Sequence, residues 1–150
     1  MVQRLVRLIA LTALLGGCAL APPGDQAPAG EPVTARTELA GSPALSLLER
    51  ANQARSSGDT AAAGRYLERA LTMAPDSSWL YRSLARLRLQ EGDAHAAEGL
   101  ALRALRLAPA NREYQAGLWD LVATARTNQG DAAGARQARE QARALRTTTT

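Results

Sequence analysis

The sequence holds one cysteine, Cys18, and one histidine, His95. A lone imidazole cannot assemble a metal site. His95 also stands beside Asp93 in the first turn of a helix-patterned stretch with no paired nucleophile, so it reads as an exposed residue. The neighbouring carboxylates Glu91 and Asp93 fall at helix ends, where capping and dipole effects account for them. No glycine run has the spacing of a phosphate cradle. The reading is a non-enzyme with no catalytic residue, metal, cofactor or small-molecule substrate. What remains is a face: Trp79, Arg82, Arg86 and Gln90 recur at i, i+3, i+7 and i+11, which sets an apolar ring beside two guanidiniums and an amide on one side of a helix.

That face belongs to a repeated unit. The text from Gly58 to Pro75 returns 34 residues later, from Gly92 to Pro109, with nine of eighteen positions identical. A third copy begins at Gly130-Asp131 with an offset of 38, and the four additional residues amount to about one helical turn. A period near 34 and these residues resemble the tetratricopeptide repeat, a helix-turn-helix unit. Counted back from the closing prolines, the units start at Ala44, Ser78 and Ala116. The family's early large residue then falls on Leu47, Tyr81 and Trp119, and its first small residue on Ala51, Ala85 and Ala123. Its turn glycine falls on Gly58, Gly92 and Gly130. The small residues of its second helix fall on Ala63, Ala97, Ala135 and on Ala70, Ala104, Ala142; Pro75 and Pro109 close the first two units. The late aromatic is replaced by Leu67, Ala101 and Arg139, and Thr147 stands at the third proline position. A charged Arg139 suits a last helix that doubles as the solvent cap.

The resemblance implies an all-α fold, three helix-turn-helix repeats in a short right-handed superhelix over residues 44–147, with units at 44–77, 78–111 and 112–147. Helices are expected over about 44–57, 60–74, 78–91, 94–107, 112–128 and 132–145, capped by Ser42, Asp59, Asp93, Asn111 and Asp131, with a frayed tail at 148–150. There is no Phe, so the apolar content rests on Ala and Leu. Such side chains bury little area each, which predicts modest stability.

Residues 1–17 have a basic start at Arg4 and Arg7, a short apolar run from Leu8 to Leu15 and two glycines, the pattern of an export signal rather than a membrane span. Leu15-Gly16-Gly17-Cys18 resembles the bacterial lipobox. The resemblance implies lipidation of Cys18, removal of the leader, and, because Ala19 rather than an aspartate follows, an outer-membrane anchor facing the periplasm. Multiple acyl chains make such an anchor stable. A single cysteine also excludes an intramolecular disulfide. Residues 18–43 carry five of the seven prolines and almost no large apolar group, so a disordered tether is expected. Its 25 residues after Cys18 reach at most roughly 80 to 90 Å.

All 18 basic residues are arginine; without Arg4 and Arg7 the balance is 16 against 14 acidic residues, or +2. The arginines are spread over every helix without aromatic interleaving, so no nucleic-acid partner is expected. In tetratricopeptide arrays the first helices line a concave groove. The resemblance places Asn52, Arg55, Trp79, Arg82, Arg86, Gln90, Asp120, Thr124 and Asn128 there, a surface suited to an extended peptide bearing carboxylates or carbonyls. The alternative is that Trp79 packs between repeats and the arginines are simply solvated. The set with which chaperone-binding members hold a terminal carboxylate is not matched, because Leu48 stands at its first lysine position. The partner implied is a periplasmic or inner-membrane envelope protein. Lipoproteins that activate peptidoglycan synthases, the penicillin-binding proteins, are the class most similar in length. A pilotin-like factor for type IV pilus secretins and a self-associating envelope protein are the alternatives.

Overall fold

Three turns of the same construction divide the chain. In a computed structural model that describes residues 34–147, the helices are α1 (Ala35–Glu38), α2 (Pro43–Ser56), α3 (Thr60–Met73), α4 (Ser78–Gln90), α5 (Ala94–Leu107), α6 (Arg112–Asn128) and α7 (Ala132–Thr147). Gly58, Gly92 and Gly130 follow α2, α4 and α6 with φ of 85°, 84° and 82°, the left-handed region that glycine enters without a Cβ penalty. The next residue's N–H then reaches back to the last turn. Asp59 donates to the Ala54 carbonyl at 2.9 Å, Asp93 to Arg88 at 2.8 Å and Asp131 to Arg126 at 2.9 Å, the closure of a Schellman motif. The same aspartates cap the following helices: their Oδ1 atoms accept from Ala62, Ala96 and Gly134 at 2.8, 3.0 and 2.8 Å. Ser42 and Asn111 cap α2 and α6, as their positions predict.

From α2 on, the helices pack in sequence, each against the next, and α4 also touches α2 and α6, the first helices of the neighbouring units. These three therefore form the inner layer, and α3, α5 and α7 the outer. Side-chain size is divided between the layers. Apart from Leu67 of α3, the outer helices bury alanine against the array: Ala63 and Ala70, then Ala94, Ala97, Ala101 and Ala104, then Ala135, Ala138 and Ala142. Leucines come mainly from the inner helices, among them Leu47, Leu80, Leu84, Leu87 and Leu118. Small residues on one helix let large ones on its neighbour sit deep, which makes close packing possible without a phenylalanine. The core falls into successive clusters along the array, so cohesion is between neighbours, as in a solenoid. Arg139 is exposed on α7 and donates to Thr127 Oγ1 at 2.9 Å, consistent with a terminal helix that faces water.

The described residues hold one element ahead of the expected first helix. Thr34 caps the four-residue α1 with a reciprocal bond to Thr37, and Leu39 is only 3% exposed in the first core cluster. Glu38 accepts from Ser77 Oγ at 2.6 Å, and Arg36 pairs with Glu49. A single turn is too short to show a helical period, and only one leucine of the segment is buried. The leader, Cys18, most of the tether and residues 148–150 lie outside the described residues.

Candidate functional site

The inner surface of the first two repeats is built from α2 and α4. Leu48 and Asn52 of α2, Trp79, Arg82, Ser83 and Arg86 of α4, and Ala35 of α1 surround a hollow of about 200 Å³. Four of the nine expected groove residues therefore meet around one space. Arg55 and Gln90 lie at the continuation of the same row, where Gln90 Nε2 donates to the Arg55 carbonyl at 3.4 Å. The other three do not line the hollow. Asp120 is held at 2.6 Å by Arg146 of α7, and Thr124 Oγ1 donates to the Asp120 carbonyl at 2.9 Å. Asn128 is exposed at the end of α6. Hydrogen bonds to Asp120 and Glu113 hold the Arg146 guanidinium above its ordinary pKa.

Trp79 does two things at once. It packs between repeats, stacked on Tyr114 of α6 with ring centroids 3.8 Å apart and planes at 36°, and it also lines the hollow. The Arg82 guanidinium lies 5.7 Å from the Trp79 ring and 5.2 Å from the Tyr114 ring, within cation-π range of both. Tyr114 is fixed by a short chain of bonds. Ser78 Oγ donates to the Ala104 carbonyl at 2.8 Å, so its hydrogen is committed and the Tyr114 hydroxyl, 2.9 Å away, is the donor to Ser78. Burial pushes the Tyr114 phenol up to about 12 against the opposing pull of the Ser78 bond and of Arg82. It is neutral in any physiological medium.

The arginines of this row share no carboxylate. Among the described residues the ion pairs involve Arg36, Arg88, Arg126 and Arg146, not Arg55, Arg82 or Arg86. Arg55 is pushed below its ordinary range by burial and then by the charge of Arg86. Arg82 is pushed down by burial and Arg86 as well, against a raising effect of Tyr114. The charge of Arg86 is thus felt at both of the others. Two buried donors, Arg55 Nε and Trp79 Nε1, have no acceptor among the described residues. An unmet buried donor costs about 1–3 kcal/mol. The arrangement presents concentrated positive charge and spare donors, with no paired nucleophile and base. His95, the other sequence candidate for chemistry, is exposed on the outer helix α5.

Sequence reasoning found Trp79, Arg82 and Arg86 by their shared face but not Tyr114, which stacks on one and approaches the other. The signal was the four-residue insertion, which lengthens the start of α6 by a turn and delivers Tyr114 to Trp79.

This architecture of three stacked helical hairpins with an inner layer of first helices defines the class. A family model for the tetratricopeptide repeat matches residues 54–118, and the chain belongs to the tetratricopeptide repeat family. Within it, the chain is similar to the globular C-terminal domain of P. aeruginosa LpoP, at 46% identity and a TM-score of 0.65, the match covering 67% of this chain and 95% of that one. No match is found among curated proteins. No described helix is long and apolar enough to cross a membrane.

Proposed function

We propose that this protein is a non-catalytic outer-membrane lipoprotein, anchored through Cys18 on the periplasmic side. Its repeat domain binds a peptidoglycan synthase of the penicillin-binding class on the inner surface of α2 and α4, as an activator or scaffold. One observation carries the reading: 95% of the LpoP domain is matched at 46% identity, so the likeness extends over a whole single-domain array and is not confined to a repeat signature. The row of Arg55, Arg82 and Arg86 supports the choice of surface, because Arg82 and Arg86 line one hollow beside Trp79 and share no carboxylate among the described residues, leaving their donors to a partner's acceptors.

The test adds the purified protein to a purified bifunctional synthase and measures glycan polymerisation and complex formation. The expected result is binding and a raised rate, with both reduced by the Arg82→Glu, Arg86→Glu double change. A synthase that neither binds nor responds overturns the reading. Capture of a secretin favours the pilotin alternative, and self-association alone favours the structural one.

A further inference from the structure

The inner row has a spacing as well as a charge. Arg82 and Arg86 are four residues apart on α4, about 6 Å along the axis at 1.5 Å per residue. In an extended peptide, residues i and i+2 point to the same side and lie roughly 6.6–6.8 Å apart. The run from Trp79 to Gln90 is about 16 Å long, the length of about five extended residues. Arg55, on the neighbouring helix and bridged to Gln90 through its carbonyl, adds a third guanidinium whose charge is coupled to that of Arg86, and Asn52 supplies an exposed amide beside the hollow.

We propose that this row selects an extended protein segment carrying two carboxylate side chains separated by one residue. One carboxylate is held at Arg82 and the other between Arg86 and Arg55. The inference deepens the proposed partner-binding role and rests on it for the source of the segment. Charge complementarity carries the choice of occupant: three neighbouring guanidiniums, two of them around one hollow, lack an acid in the described domain, whereas Arg88, Arg126 and Arg146 each have one. A planar guanidinium takes a carboxylate in a two-bond fork, so side-chain acids at the matching pitch satisfy the row without distorting either backbone. The hollow beside Trp79, about 200 Å³, has room for one apolar side chain flanking the acidic pair. The chain's own acids ahead of the domain, Asp25 and Glu31, are six residues apart and do not share this pitch.

The test uses the full chain in detergent and fluorescently labelled hexapeptides blocked at both ends. The first peptide carries two glutamates one residue apart, the second has them adjacent, and the third has glutamines in their place. A fourth has glutamines and a free C-terminal carboxylate. The first should bind most tightly, the second at least about fivefold more weakly, and the third and fourth with no measurable affinity. Arg86→Gln and Arg82→Gln should each weaken the first peptide about tenfold, the loss expected for one charge-assisted pair, while Arg106→Gln on the outer helix α5 should leave it unchanged. Binding should also weaken with added salt. Arg86 is exposed, so its variant keeps the fold even if Arg82→Gln does not. Equal affinity for both spacings, equal binding of the fourth peptide, or no binding of any peptide overturns the proposal. Binding by a chain with Asp25→Asn and Glu31→Gln but not by the parent also overturns it, because the tether is then the occupant. A synthase captured normally by Arg86→Gln ends this inference and leaves the partner-binding role standing.

Discussion

Arg126 on α6 and Arg86 on α4 are both inner-layer arginines near the ends of first helices, yet their surroundings are opposite. Arg126 donates to Glu98 at 2.7 Å and to the Gly134 carbonyl at 3.2 Å, and Gln129 completes the cluster with bonds to Glu98 and to the Ala94 carbonyl. That network stitches the start of α5, the end of α6 and the start of α7. Arg86 lines the hollow with Arg82, its charge also felt at Arg55, and it has no acid partner among the described residues. The Arg126 cluster uses its charge to join the second repeat to the third. The Arg55, Arg82 and Arg86 row leaves its charge on the inner surface of α2 and α4, which is where a ligand can gain from it.

The comparison is broken most directly by removing each arginine in turn. Arg126→Met strands the Glu98 carboxylate, whose side chain is only 20% exposed, and should cost about 2 kcal/mol in urea unfolding. A loss well under about 0.5 kcal/mol would mean that the third repeat does not depend on its network. Arg86→Gln, by contrast, should change stability by less than about 0.5 kcal/mol, because it removes repulsion and no bond. A large loss there would make the row structural.

The smallest effect sharpens the contrast through pH. Burial alone would raise the Glu98 carboxyl, but the hydrogen bonds from Arg126 and Gln129 and the charge of Arg126 outweigh it, so the folded value lies below the ordinary 4.5. A folded value below the unfolded one means that the contribution is present above about pH 4.5 and is lost as pH falls through the folded value. Glu98→Gln should therefore flatten the acid limb of the stability profile. An unchanged limb would contradict the cause assigned to the shift.

Much of the fold was legible because repeat turns are local chemistry. Gly92 and Asp93 specify a left-handed residue and then a cap within two positions, so the limits of α5 follow from sequence. Long-range pairing was less legible. Asp120 sits at a groove position by count, but Arg146 of α7 holds it, and no helical period reveals a partner 26 residues away. Leu39 lies in a stretch whose composition reads as tether, and burial of one leucine in the first core cluster leaves no periodic trace. Arg55 was placed by counting, but its unmet Nε emerged only with the packing of α2 against α4.

The central claim is that a synthase sits on the inner surface of α2 and α4. Photo-crosslinking in intact cells tests it most directly, with a photoreactive residue placed at Asn52 or Gln90 on the inner layer and at Arg69 or Arg106 on the outer. The account predicts a synthase adduct from Asn52 and Gln90 and none from Arg69 and Arg106. Adducts from the outer pair alone would contradict it.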